Sequence, residues 1–255
     1  MHKTKLFLLL LIGCLAFDTI TYSQPSGIFQ FTVGYSMPVG SMRGTFGSTS
    51  STFMVNNLDT NSYYIKSGYG YGLLVKKAFG KEKHFELTAG LFFNLFNQNI
   101  EYTSTDSSVS ISNKMNITTV SVGAEWSFLP KNHHFCPFAG ATFDVSIFSG
   151  SLTSILSGSS TSVLVSQTNT MNLWSQLRFG VSFGGGIDFP IQQNVGAVIG
   201  TKYYITNLLG KKSQTNDLLH YGLNDASYTT NNVTLPARTI AFLQFYGGIS
   251  FYFGK

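Results

Sequence analysis

The residues able to do chemistry fall into four sets. The segment NDLLHYGLND carries Asp217, His220 and Asp225. A histidine held near a carboxylate can take a proton from water, so this set would suit loop-borne hydrolysis. A second set is Lys76, Glu86, Glu125, Asp144, Arg178, Asp188 and Lys202, charges on the polar side of segments that are otherwise apolar at every second residue. Isolated charge in a confined interior is costly, so these residues should pair. They would form a polar plug, or they would line an ion path or a ligand contact. Third, RFGVSFGGGIDFP holds three successive glycines, Gly184 to Gly186. Such a run after an apolar segment can open a nucleotide-binding loop. Cys136 is the fourth, a candidate thiol.

The nucleotide reading fails on context. A dinucleotide fingerprint must lead into a helix, and a phosphate loop ends in Gly-Lys-Ser/Thr. Here the run leads into Ile187, Asp188, Phe189 and Pro190. Read with a period of two, the same stretch makes sense. Leu177, Phe179, Val181, Phe183, Gly185, Ile187 and Phe189 share one face. Gln176, Arg178, Gly180, Ser182, Gly184, Gly186 and Asp188 share the other. Alternation of this kind is a strand between two unlike environments.

The pattern recurs along the chain. Its apolar faces run over Phe29–Met37, Tyr69–Lys77, Phe85–Leu95, Val120–Phe128, Ala139–Ile147, Leu177–Phe189, Val195–Ile205 and Leu243–Phe253, which makes eight strands. Connections at 80–84, 129–134 and 190–194 are short. Those at 40–65, 97–114, 149–174 and 207–237 are long and rich in Ser, Thr, Asn and Gly. An open sheet edge cannot be left in hydrocarbon, so the pattern predicts an all-β fold: an eight-stranded antiparallel up-and-down transmembrane β-barrel. The polar face is then the inside, which at this strand number is just filled by side chains. Lys76, Glu86, Glu125 and Asp188 fall near the short-turn rim, and Asp144, Lys202 and Arg178 higher. Expected pairs are Lys76 with Glu86 or Glu125, and Lys202 or Arg178 with Asp144. Phe92, Tyr204, Phe242, Tyr246 and Tyr252 add inward bulk. Cys136 faces inward at the start of the fifth strand.

The first residues, MHKTKLFLLLLIGCLAFDTITYSQ, carry Lys3 and Lys5 before an apolar run from Leu6 to Phe17. That run is too short to span a bilayer and reads as a signal peptide, residues 1–23, with the barrel domain over 24–255. Leu11-Ile12-Gly13-Cys14 also fits a lipoprotein box, so ordinary cleavage and lipidation both stay open. Removing 1–23 takes basic residues from 16 to 14 and acidic ones from 11 to 10, leaving a mild and scattered +4. No nucleic-acid footprint follows from that. Cys136 is then the one thiol left, so an internal disulfide or a cysteine metal site is excluded. Charged residues are 11% of the chain, against roughly 25% in soluble domains.

PFAGATFDVS (137–146), FGVSFGGGIDFPI (179–191), GAVIGTKYYITNLL (196–209) and the terminal FYFGK resemble the small outer-membrane β-barrels of Gram-negative bacteria. The likeness is to the OmpA/OmpX-like barrels in size and especially to the PorT-like group. It implies a cell outer-membrane location with the signal removed, contact with outer-membrane lipid, and the barrel-assembly machinery as a partner. Phe251 and Phe253 resemble the C-terminal assembly signal, although Gly254 and Lys255 follow the last Phe. The role expected is structural, adhesive or accessory to export through an extracellular or export-system protein, with no cofactor, no metal and no catalytic residues. The alternatives are a narrow porin-like channel and a loop-borne hydrolase, omptin-like or lipid-modifying. Omptin-like barrels have ten strands, and no His-x-Ser of the lipid-modifying kind occurs.

Overall fold

Strict alternation turns every second side chain to the same side of a sheet. With one side apolar and the other polar, the sheet must close so that its edges disappear. A computed structural model of the chain describes residues 25–43, 63, 65–80, 83–103, 107–129, 134–160, 163–213, 217–230 and 233–254. Residues 1–23, expected to be a signal peptide, and Cys14 among them, lie outside the described residues.

The strands are β1 (Gly27–Val39), β2 (Gly68–Phe79), β3 (Phe85–Thr103), β4 (Ser107–Ser127), β5 (Cys136–Ser160), β6 (Val163–Gln192) and β7 (Val195–Leu209). Then come the short β8 (His220–Tyr221), β9 (Tyr228–Thr230) and β10 (Val233–Leu235), and finally β11 (Ala241–Phe253). β1 to β7 pair antiparallel in chain order, and β11 joins β7 to β1, so eight strands form a closed ring. The closing seam runs from Gly27 opposite Phe253 to Val39 opposite Ala241.

The outward residues are apolar and exposed: Phe31, Val33, Leu73, Val75, Val120, Val122, Phe143, Phe183 and Ile249 are examples. Aromatic rings border this band. Phe79, Phe85, Trp126, Phe128 and Phe253 stand near the short-turn rim. Higher up, Tyr35 meets Tyr69 at 5.7 Å between ring centroids, and Tyr71 stacks on Phe93 at 5.2 Å. A tall apolar band with aromatic borders is the exterior of a barrel built for lipid. No helix among the described residues is long and apolar enough to cross a membrane, which says nothing of strands.

Two of the expected loops are strands. The 97–114 segment is mostly β3 up to Thr103 and β4 from Ser107, and 149–174 is mostly β5 up to Ser160 and β6 from Val163. The physical reason is visible in β4. Below Thr119 in height, Val120, Val122 and Trp126 face out and are exposed. Above it, Ile111, Met115 and Ile117 face in and are buried, while Lys114 is exposed. The apolar side has swapped from the outside to the inside. Polar, Ser- and Asn-rich strands of this kind read as loops by composition, although the ladder continues without a break through Thr103 opposite Ser108.

Inside, glycine makes room for neighbours. A Cβ on Gly200 would stand 2.6 Å from the Tyr246 ring, and one on Gly186 would stand 3.0 Å from Phe138. Both are close approaches that no larger residue allows without movement.

Candidate functional site

The lumen is built in three layers. At the short-turn rim, β2 points Lys76 inward and β4 points Glu125 across to it. Lys76 Nζ lies 2.5 Å from Glu125 Oε2 and 4.0 Å from Asp188 Oδ2. The same ammonium sits over the Phe138 ring at 4.4 Å. Gln30 Nε2 donates to Asp188 Oδ1 and to Ser250 Oγ, each at 2.9 Å. Glu86 is buried beside them, directly opposite Glu125 in the β3–β4 register. Of the two partners expected for Lys76, Glu125 is the one in contact. Cys136 is buried at this rim and forms no disulfide.

Higher up, two hydroxyls reach one oxygen of Asp144. Ser121 Oγ donates to its Oδ1 at 2.5 Å and Thr142 Oγ1 at 2.7 Å. The pairing of Asp144 with Lys202 or Arg178 does not occur. Lys202 instead lies over two rings, 4.5 Å from Phe92 and 5.1 Å from Tyr204, as a cation–π contact. Its β7 position faces Gly184 on β6, which leaves it space to lie flat against the rings. Glu125 at the rim, and Lys202 and Tyr246 above it, point inward and are part-covered rather than fully buried.

The mouth is closed by chain from two connections. Met42, Tyr63 and Ile65 come from the β1–β2 connection, and Leu223 and Ile240 from the β7–β11 connection. They pack on inward residues of the upper barrel: Phe96, Met115, Ile117, Phe148, Leu173, Tyr204 and Phe242. Tyr204 stacks on Phe242 at 4.6 Å. A polar clamp fixes this lid. Arg178 Nε donates to Asp225 Oδ2 at 2.9 Å, and Arg178 Nη2 donates to Asp225 Oδ1 at 2.8 Å, a bidentate pair. Asn207 Nδ2 donates to Asp225 at 2.9 Å, and the Lys212 N–H donates to it at 3.0 Å. Arg238 lies over the Tyr63 ring at 4.3 Å and donates to the carbonyls of Leu223 and Asn224. Desolvation pushes the Asp225 carboxyl up, but hydrogen bonds from Arg178, Asn207 and Lys212 outweigh it and hold it below its ordinary value.

That clamp changes the reading of NDLLHYGLND. Asp225 is committed to Arg178 and stands apart from the other two candidates. Asp217 and His220 do meet, with Nδ1 at 3.2 Å from Oδ1. Backbone N–H groups of Leu219 and then His220 lower the Asp217 carboxyl, the arrangement of an exposed turn. His220 also stacks on Trp174 at 4.3 Å. Among the described residues, no group of three or more His, Cys, Asp or Glu could hold a metal ion.

Sequence reasoning missed Tyr63, Asn207, Leu223, Arg238 and Ile240. The signal available was Arg178 itself, an inward guanidinium above the last inward acid of its neighbours. Its partner had to come from a connection rather than a strand.

The fold defines a small closed barrel with an apolar exterior and a polar, charged interior. No protein-family model matches the chain, and no curated protein does. Solved structures do resemble it. Neisserial surface protein A (NspA) aligns over 91% of this chain and 99% of its own at 9% identity, with a TM-score of 0.46. The outer membrane protein OprG from Pseudomonas aeruginosa aligns over 91% and 99% at 10% identity, with a TM-score of 0.44. The N-terminal β-barrel domain of Pseudomonas aeruginosa OprF aligns over 91% and 100% at 12% identity, with a TM-score of 0.36.

Proposed function

We propose that this chain is an integral outer-membrane barrel, delivered by a cleaved N-terminal signal, that serves as a sealed mount for cell-surface hairpins and catalyses no reaction. The observation that carries the reading is the closed mouth, with Tyr204, Phe242, Leu223 and Ile240 fully buried beneath the Arg178–Asp225 clamp. A path for ions would need a polar gap there. The extended β3–β4 and β5–β6 hairpins supply the presented surface, which suits an adhesive role or contact with an export-system partner. The PorT-like resemblance favours the export partner.

Single-channel recording of the purified barrel in a planar bilayer tests the seal, and no steady conductance is expected. A tag inserted between Ser160 and Val163 should be labelled on intact cells, and one at 131–133 should not. Steady ion-selective current would overturn the sealed mount, and the reverse labelling would overturn the topology.

One observation favours a second reading, the narrow channel. The part-covered Glu125, Lys202 and Tyr246 would line a pore if the lid swung away. Current that rises only when the clamp is broken would mark a gated channel. The hydrolase reading retains only the Asp217–His220 contact and is not proposed.

A further inference from the structure

The apolar exterior does not stop where the barrel strands stop. Leu209 stands opposite Phe179 in the β6–β7 register, just past a register shift, and is itself exposed. Leu177 and Trp174 carry the same face up β6, and both are exposed. The chain after β7 then folds back along this flank. The Asn172 N–H donates to the Leu219 carbonyl at 2.7 Å, and β8 pairs with β6 at Asn172 and Leu173. The result is a ledge on which Leu218 is 89% exposed and Leu219 63%. A contiguous bare apolar surface on the side of a barrel marks a contact with something apolar.

The segment from Leu209 to Leu218 opens with Gly210-Lys211-Lys212 and ends with Asp217, which is turned to the His220 ring and the backbone of Leu219 and His220. Lys212 is anchored by its N–H bond to Asp225 Oδ1, so the lid clamp also sets where the lysine pair stands. Exposed apolar side chains, a Trp among them and a lysine pair on the same connection form the pattern of an interfacial anchor on anionic lipid.

We propose that this ledge is a docking site for an anionic lipid of the surrounding leaflet. Its acyl chains lie against Trp174, Leu177, Leu209 and Leu218, and its phosphate lies beside Lys211 and Lys212. Two features choose a lipid over a protein partner: Leu177 and Trp174 carry exposed apolar side chains up β6 as far as its pairing with β8, and Lys211 and Lys212 follow Leu209 within three residues. The proposal rests on the barrel spanning a bilayer, and the test separates the two.

The protein has two tryptophans, Trp126 at the short-turn rim and Trp174 on the ledge. Full-length Trp126→Phe and Trp174→Phe variants, reconstituted in phosphatidylcholine vesicles, each report one site. Lipids brominated near the top of the acyl chain should quench Trp174 in the first variant and Trp126 in the second. Trp126 quenched with Trp174 unaffected would overturn the ledge alone. Neither quenched would overturn both the ledge and the spanning barrel. With brominated phosphatidylglycerol as a minor component, Trp174 should be quenched more than with the same amount of brominated phosphatidylcholine. Lys211→Gln and Lys212→Gln should each lower that preference about fivefold. A preference unchanged by both would overturn the phosphate contact.

Discussion

Asp225→Ala removes one acceptor from four donors: Arg178 Nε and Nη2, Asn207 Nδ2 and the Lys212 N–H. It also leaves Arg178, 2% exposed, as an uncompensated cation in the mouth. Removing one partner of a buried pair costs about 3–5 kcal/mol in a rigid site. This site has an easier response. Asp225 sits on a connection, and swinging that connection outward returns the guanidinium to water without breaking a barrel ladder. The loss therefore falls on the closed lid rather than on the barrel, and opening should become about a hundred to a few thousand times more frequent. Amide hydrogen exchange in lipid nanodiscs reads this directly. The N–H groups of Arg238 and Ile240, which donate to the Asp225 carbonyl and to Asn207 Oδ1, should lose that much protection. Strand amides along the β1–β11 seam should keep theirs. pH supplies an independent arm. A carboxyl lowered in the folded state contributes stability that is complete above its unfolded value and is lost as pH falls through the folded one. Lid protection in the wild type should thus be flat from neutral pH down to the ordinary value of 3.8 and fall only below it. Unchanged lid exchange in Asp225→Ala, or equal losses in lid and seam, would refute the clamp as a local lock.

Other substitutions probe the faces and the layers. Ala141→Arg puts a cation on the exposed outer face near mid-band and should cost about 2–4 kcal/mol; Ser146→Ala loses only the 2.9 Å bond with Thr119 and should cost about 1 kcal/mol, both read by unfolding in lipid. Lys76→Met strands Glu125 and Asp188 and should destabilise by about 3–5 kcal/mol, whereas Lys202→Met, which removes no ion pair, should cost clearly less. Similar losses for the two lysines would refute the layered lumen. Phe253→Ala should lower the yield of heat-modifiable folded protein in cells, because β11 closes the ring; normal yield would count against the terminal assembly role.

The strand number and the outward face were legible because hydrocarbon outside and polar groups inside give each residue an unlike neighbour on its two sides. Phe179, Val181 and Phe183 could hardly be read otherwise. That contrast disappears above the band, and with it the reading. Asn97, Asn99 and Glu101 on β3 and Ser149, Ser151 and Thr153 on β5 put polar residues on the outer side as well, so composition suggested loops where the ladder in fact continues. The charged interior was legible as a set but not as pairs. Lys76 and Glu125 lie on strands whose register fixes their distance. The partner of Arg178 lies 47 residues away on a connection, and no alternation reports where a connection folds. Lys202 also escaped, because pairing it with an acid ignored Phe92 and Tyr204, the rings that lie beside its ammonium.

The reversal of polarity along β4 also fixes how deep the molecule sits. A cylinder with a uniform wall could ride up or down in a bilayer at little cost. Here Val120 faces out just below the reversal, and Lys114 faces out a few residues above it. Sinking by that distance would drag an ammonium into hydrocarbon, and rising would strip lipid from Trp126 and Phe128 at the opposite border. Both directions are penalised, and a ring of hydrogen-bonded strands cannot shorten its span by bending one element. The vertical position is therefore written into a single strand, and a bilayer of different thickness would have to thin or thicken around the wall.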